Sequence, residues 1–357
     1  MNSSIILNKL QMENLINRFK RYRTVRHIEN KYKNKYAFIG MGNHSINNLY
    51  PVLDYLQANI KYVVTRSEQT AKAISENYAK FEGTTDLDMV LNDDEISGVF
   101  VSANPKSHFE LIKNILLKDK NVFVEKPPCY SKEELVKLIE IEKKSKAFVL
   151  VGFQKRYAPL YNILQHDIKN PENYTFKYVV GNYPEGDALL DLFIHPLDTV
   201  AYLFGEAKIV SFQKTGKRKG VQTFFIHLEH KNKLIGNIEL STDYWWAKSY
   251  EKLFVNTEKG YFKSKNTEKL KSIPKPQNIL SIPMEKLKAP QIESKMLYEQ
   301  NNFLPTREQN QLYSSGYFDE VKSFLDLCEG RKANNKTSLS DLTITYTLID
   351  EIQKQLS

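Results

Sequence analysis

The chain has 357 residues and a formal net charge of +9, longer than one hydrophobic core usually grows, so two domains are expected. A content of 41% hydrophobic and 12% aromatic residues supplies real cores and excludes a disordered polyelectrolyte. Two cysteines, Cys129 and Cys328, exclude a disulfide framework and a cysteine-based metal site; no apolar run approaches the ~20 residues that span a bilayer, and a cytoplasmic protein is expected.

Charge is concentrated at the front. Residues 1–35 carry Lys9, Arg18, Lys20, Arg21, Arg23, Arg26, Lys31, Lys33 and Lys35 against Glu13 and Glu29, which is +7 of the total of +9. The body is nearly neutral, so residues 1–34 read as a basic appendage and a nucleic-acid partner for the whole chain is not expected. Leu7, Leu10, Leu15, Phe19 and Tyr22 recur at helical spacing, which predicts an amphipathic helix that docks on the body or on a partner.

Next comes KYAFIGMGNHSINNLYPVLDYL, from Lys35 to Leu56. Tyr36 to Ile39 reads as a buried strand, Gly40 to Ser45 as a tight turn and Asn47 to Leu56 as a helix. This order seats a dinucleotide pyrophosphate on a helix N-terminus. Gly40 permits the turn, Gly42 lets backbone approach phosphate, Asn43 and His44 complete the loop, and Ser45 replaces the third glycine of G-x-G-x-x-G with a small residue. Pro51 is expected to kink the helix. A second strand, Lys61 to Thr65, ends in Thr65-Arg66-Ser67 where an NAD-specific site would carry an acid. An arginine between hydroxyls suits a 2′-phosphate, so NADP(H) is preferred, with NAD(H) as the alternative.

Helix 68–78, strand 97–102, helix 108–118, strand 121–126 and helix 131–144 continue the alternation, which predicts a parallel sheet covered on both faces over residues 35–153. Ligands in such a sheet sit at the carboxyl ends of the strands, where Asn104, Pro105, His108, Glu125 and Lys126 fall. His108 is expected to line the cofactor cleft or cap its helix. Within FVEKPPCY, Pro127 forces Lys126 towards an extended backbone and a second proline stiffens the strand exit. Read alone, such a lysine suits a salt bridge with Glu125, a substrate phosphate contact or catalysis.

Arg156 and Tyr157, in GFQKRYAP, follow the strand joining the domains and suit either substrate hydroxyls or a structural hinge. Asp191 precedes His195 by one helical turn, and Pro196 predicts that regular helix begins there, placing Asp198 in its first turn. Beyond Tyr161, FKYVVG, IVSFQKTG, QTFFIHLEHKN, LIGNIELSTDYWW and KLFVNTEKGYFKS alternate apolar and polar residues, the mark of a sheet with one buried face. Tyr244, Trp245, Trp246 and Tyr250 form an aromatic cluster suited to packing, subunit contact or a sugar site. Residues 263–313, rich in Lys, Pro and Gln, read as a long irregular excursion. The other histidines show no ligand spacing, so no metal is expected.

The segments FIGMGNHS, VFVSANPKSH, VFVEKPPCYS, VGFQKRYAP, LLDLFIHPLDTVAYLFG, GYFDEVKSFLDLCEG and SLSDLTITYTLIDEI together resemble the Gfo/Idh/MocA oxidoreductases, over residues 35 to 355. The resemblance implies an α/β fold: an N-terminal Rossmann dinucleotide-binding domain, then an α+β domain over residues 154–357 with a large, mostly antiparallel open sheet. It implies a homodimer or homotetramer formed through that sheet, a cis peptide before Pro127, and catalysis by Lys126, Asp191 and His195, with Arg156 and Tyr157 also facing a sugar-like substrate. The activity implied is hydride transfer between NAD(P) and a hydroxyl or ketone carbon of a sugar, nucleotide sugar or cyclitol. A non-catalytic dinucleotide-binding regulator and a reductase of a non-sugar double bond such as an imine are the rivals. GNYPEGDALL, before Asp191, departs from the glycine-rich stretch common in the family.

Overall fold

A computed structural model describes residues 12–21, 32–78, 80–184, 186–216, 218–276, 278–279, 282–286, 293–300 and 311–356. Residues 12–21 form helix α1, exposed throughout. Its apolar stripe of Met12, Leu15, Ile16 and Phe19 faces solvent, so the expected helix is present but undocked among the described residues; Leu7, Leu10 and Tyr22 lie outside them.

The packed body starts at Tyr32, which is fully buried. Six strands follow: β1 (Lys35–Ile39), β2 (Asn59–Val64), β3 (Glu82–Thr84), β4 (Ile96–Val101), β5 (Asn121–Glu125) and β6 (Val149–Gly152). They form one parallel sheet in the order β3-β2-β1-β4-β5-β6. The connections carry α2 (Tyr50–Tyr55), α3 (Glu68–Asn77), α4 (Leu87–Leu91), α5 (His108–Leu116) and α6 (Lys132–Glu142). β3 and α4 were not expected, being too short for periodicity to register. Side chains alternate in size as well as direction: Tyr36, Phe38, Phe100, Phe123 and Leu150 face one side, while Ala37, Ile39, Val99, Val101, Val122, Val124, Val149 and Val151 face the other. The aromatic side is covered partly from far along the chain, as described below.

After α7 (Pro159–Asp167) the second sheet begins with β7 (Pro171–Gly181), and α8 (Ile194–Phe204) crosses beneath it. The sheet continues with β8 (Ala207–Thr215), β9 (Thr223–His230), β10 (Ile235–Tyr244), β11 (Tyr250–Thr257), β12 (Gly260–Lys265) and β13 (Lys269–Pro274). A short pair, β14 (Asn278–Ile279) with β15 (Ile282–Pro283), precedes β16 (Lys295–Glu299). The eight strands run β16-β13-β12-β11-β7-β10-β9-β8. All pairs are antiparallel except β7 with β10 at the centre. Residues 263–313 are therefore no irregular excursion where described, since β13 and β16 extend the sheet. Their Lys-rich alternation, with Leu270 turned inward, is that of charged edge strands.

Three C-terminal helices close the body: α9 (Gln311–Ser314), α10 (Tyr317–Cys328) and α11 (Thr343–Leu356). α10 lies on the aromatic side of the parallel sheet, with the Phe324 ring 4.9 Å from Phe100 and 5.8 Å from Phe123. Its C-terminal end holds the start of the body: Tyr32 donates to Asp326 at 3.1 Å, and the amides of Lys33 and Asn34 donate to Glu329. α11 packs on α8, and the Tyr346 hydroxyl donates to the Cys129 carbonyl just past Lys126.

Both unexpected prolines follow π-helical turns. Ser45–Leu49 is π-helical ahead of Pro51, and Leu189–Phe193 ahead of Pro196. The wider turn shifts the carbonyl each amide seeks, so proline enters the first turn of α2 without the expected break. α8 begins at Ile194, two residues before Pro196, and Asp191 lies within the π turn.

Candidate active site

The site is built at the carboxyl edge of the parallel sheet. Gly40 has φ +88°, and a Cβ there would stand 2.5 Å from the Ser102 carbonyl oxygen, so only glycine fits where β1 and β4 end side by side. A Cβ on Gly42 would meet nothing within 4 Å; the space over this residue is open at the start of a helix, as a phosphate cradle needs. Ser45 is buried, and its hydroxyl donates to that of Ser102 at 2.9 Å. It thus clamps the turn to β4, a packing role in place of the third glycine.

Arg66 follows β2 and is exposed, and among the described residues its guanidinium makes no hydrogen bond or ion pair. Thr65 donates to the Ser67 carbonyl, and Ser67 caps α3 by accepting from the Thr70 amide. Asn104 caps the turn that starts at Pro105, accepting from the Lys106 amide at 3.0 Å. His108 neither caps its helix nor faces a cleft. It is fully buried, with Nδ1 2.8 Å from the Pro127 carbonyl and Nε2 3.1 Å from that of Ala103. The ring ties the ends of β4 and β5 together from behind, and burial pushes its pKa down.

Glu125, at the end of β5, is buried and 3.0 Å from His44 Nε2. Burial alone would lower the His44 pKa, but the hydrogen bond to Glu125 and its charge outweigh that and raise it. The glycine turn and the lysine strand are thereby joined by one charge-assisted contact, and the Tyr317 ring lies edge-on to His44 at 5.8 Å. On the far side, Glu320 of α10 is fully buried with neither carboxyl oxygen hydrogen-bonded among the described residues. Burial and the nearby charge of Glu125 push its pKa well up.

Lys126 precedes a cis peptide to Pro127. Its Nζ donates 2.5 Å to the backbone carbonyl of Asp191, bridging the 65 residues between them. Burial pushes the Lys126 pKa down against the opposing pull of the Glu125 and Asp191 carboxylates. His195, one turn beyond, has a buried Nδ1 with no partner among the described residues. Its pKa is driven well below the ordinary value by burial first, then by the positive charges of Lys126, Lys155 and His44. Lys126, Asp191 and His195 thus lie near one another at the edge that bears the glycine turn.

Arg156 and Tyr157 do not join them. Arg156 is buried, clamped by two hydrogen bonds to Asp198 at 2.6 and 2.9 Å and donating to the carbonyls of Lys336 and Asp341. Asp198 also accepts from Thr345 of α11 at 3.0 Å, so neither residue is available to a ligand. The Tyr157 hydroxyl accepts from the Lys336 amide. The hinge alternative is the one the geometry supports for both.

Lys155, beside them, was passed over by sequence reasoning. Its ammonium is ion-paired with Glu251 and lies 5.3 Å from the Tyr178 ring centroid, while Tyr161 donates to the other Glu251 oxygen. The detectable signal was Glu251 itself: an acid on β11 in register with inward-facing Leu253 and Val255. Tyr183 was also missed, and its hydroxyl donates to Asp191 Oδ2 at 3.2 Å. A cavity of 510 Å³ lies elsewhere, lined by Asn162, His166, Lys295 and Leu297, and contains none of these groups. Among the described residues no three His, Cys, Asp or Glu side chains gather as metal ligands, and no helix is long and apolar enough to cross a membrane.

Residues 34–153 match the model of an oxidoreductase family with an NAD-binding Rossmann fold, and residues 164–263 that of the GFO/IDH/MocA C-terminal domain. The chain belongs to the GFO/IDH/MocA family. Inositol 2-dehydrogenase of Corynebacterium glutamicum is 21% identical over 202 residues, 52% of this chain and 60% of the relative. The chain spans about half the length of the curated relatives it matches. A 3-ketoreductase from Actinomadura kijaniata, solved with NADP, has a TM-score of 0.69 at 14% identity, covering 90% of this chain and 97% of that one. A levoglucosan dehydrogenase solved with NADH has a TM-score of 0.72 at 15% identity, covering 90% and 96%. These two likenesses are likenesses of fold. In this GFO/IDH/MocA chain the parallel sheet and the mostly antiparallel sheet meet the fold class expected from the sequence.

Proposed function

We propose that the protein is an NADP(H)-preferring oxidoreductase acting on a hydroxyl or ketone carbon of a sugar or cyclitol. The observation that carries this reading is the Lys126 ammonium held on the Asp191 carbonyl, near enough for its charge to act on His195, whose buried Nδ1 has no partner among the described residues. A bound nicotinamide would supply the hydride acceptor or donor. The residues fit such a cofactor: Gly40 to Ser45 would cradle the pyrophosphate over open Gly42, and the exposed Arg66 would meet a 2′-phosphate.

Around the reacting carbon the chain's own groups handle one proton. A ring held neutral at pH 7 accepts a hydroxyl proton, and a buried ammonium stabilises the developing alkoxide. In the reverse direction the same ring, now protonated, returns that proton to the oxygen while the Lys126 ammonium again stabilises the charge on it. Asp191 holds the ammonium, its carbonyl accepting from Lys126 and its carboxylate from Tyr183. Glu251 holds Lys155 in place, and Lys155 in turn helps keep His195 uncharged.

We place the subunit contact on the open face of the second sheet and the activity in the cytoplasm. Screening nicotinamide absorbance with NADP(H) and NAD(H) against sugars, inositols and nucleotide sugars tests the function. Turnover of a sugar or cyclitol, abolished in Lys126→Met, is the expected result; a folded protein that binds NADP(H) yet exchanges hydride with none of them would overturn it.

A further inference from the structure

β7 and β10 are the one parallel pair of the second sheet, with Tyr244 opposite Gly181. Because they run the same way, their chains leave the sheet at the same end, side by side. Tyr183 and Trp246 meet there, with rings 8° from parallel and centroids 5.7 Å apart. The inner end of this stack is fixed to the chemistry, since the Tyr183 hydroxyl donates to Asp191 Oδ2 at 3.2 Å. Gly186 makes the approach possible: a Cβ there would lie 2.4 Å from Asp191 Oδ2 and 2.7 Å from the Tyr183 ring. The outer end is bare. Trp246 is 60% exposed, Trp245 69% and Tyr244 46%.

A stacked pair of rings that runs from a candidate catalytic carboxylate into solvent presents a flat apolar surface beside the candidate site. The C–H face of a pyranose desolvates such a surface while its hydroxyls stay in water, and an indole is the largest side chain available for it. Arg218, near this end, is ion-paired with Asp243, and the diphosphate of a nucleotide sugar is the rival ligand that the test below separates. We infer that Trp246 and Tyr183 form a subsite for a second sugar ring, so that the substrate is a glycoside of two or more rings. The inference rests on the sugar-oxidoreductase reading above and names its substrate class.

The chain has two tryptophans in all, and both belong to this patch, so intrinsic tryptophan fluorescence reports on the subsite without any turnover. Maltose, cellobiose and lactose, with glucose and galactose as single-ring counterparts and UDP-glucose as the nucleotide probe, are titrated into the NADP-bound protein. Saturable quenching is expected from at least one disaccharide at concentrations where the monosaccharides give none. Trp246→Ala should weaken that disaccharide at least tenfold more than it affects either monosaccharide, and Trp246→Phe, which keeps a ring, should restore most of the difference. Quenching by UDP-glucose alone, or by none of the sugars, overturns the inference. So does a Trp246→Ala protein that changes its oligomeric state while binding disaccharide unchanged, because the patch is then a subunit contact. Hydride exchange with single-ring sugars but no disaccharide preference would sink this inference and leave the sugar-oxidoreductase reading standing.

Discussion

The two walls of the site are made differently. The wall contributed by the parallel sheet offers open backbone over Gly42 and an exposed Arg66 that has no partner among the described residues. On the wall contributed by the second sheet and α8, nearly every polar group is already engaged. Lys155, Glu251 and Tyr161 satisfy one another, as do Arg156, Asp198 and Thr345, while His195 Nδ1 is left without a partner among the described residues. The first wall can wait for a charged ligand that brings its own order. The second must fix a proton acceptor in place beforehand, and buried ion pairs fix side chains at the cost of tolerating little change.

If that contrast is right, the largest effect comes from breaking the engaged wall. Glu251→Ala leaves Lys155 buried and unpaired, and should lower stability in urea unfolding by about 3–5 kcal/mol. The double variant Lys155→Met with Glu251→Leu should regain most of it. Equal losses in single and double variants would show that the pair is not a unit.

Next in size is the chemistry. Lys126→Ala should lower kcat by about 10²-fold or more while NADP(H) affinity, measured by titration, changes far less. A matching collapse of cofactor affinity would move Lys126 to the first wall. On that wall, Arg66→Ala should weaken NADP(H) roughly tenfold or more and leave NAD(H) unchanged, as loss of a charge-assisted phosphate contact does. Equal weakening of both cofactors would mean that Arg66 does not read the 2′-phosphate.

A smaller effect separates the walls by pH. His195 has a folded pKa far below its ordinary value near 6.5, so folding excludes a proton that the unfolded chain takes up. Its contribution is nil well above pH 6.5 and turns destabilising as pH falls through 6.5, by up to about 1.4 kcal/mol per pH unit. His44 has the opposite sign: its raised pKa adds stability that is full below 6.5 and lost as pH rises through the folded value. His195→Asn should therefore lose less stability than the parent between pH 7 and pH 5, and His44→Gln should lose more. Parallel curves for all three proteins would contradict the assignment. Smallest of all, removing residues 1–31 should leave NADP(H) affinity within twofold, whereas a cut after residue 34 also removes the buried Tyr32 and should lower the melting temperature.

Much of the first wall was legible in the sequence because its function resides in backbone, and backbone demands are written in glycine, proline and strand periodicity. Gly40, the exposed Arg66 and the strand end at Lys126 fall where local pattern put them. The second wall was legible only at Asp191 and His195, where a motif marks them. Arg156 drew attention for its charge, yet that charge is cancelled by Asp198, 42 residues away in sequence; Lys155 escaped because its partner lies 96 residues on. No local pattern reports which of two adjacent cations will be matched by a distant acid. The short β3 and the π turns before Pro51 and Pro196 were missed for the converse reason, since they are too brief for a period to show.

The cover that α10 places over the aromatic side of the parallel sheet has a consequence for how the protein is made. Phe100 and Phe123 are in place early during synthesis, but Phe324 and the Asp326 that holds Tyr32 emerge some two hundred residues later. Until then the nascent sheet has a row of phenylalanines lacking part of its roof, a surface that invites association. The parallel sheet cannot complete itself before α10 has emerged. A nascent chain stalled short of Phe324 will carry a greasy, chaperone-binding face, and the arrival of α10 is what covers it.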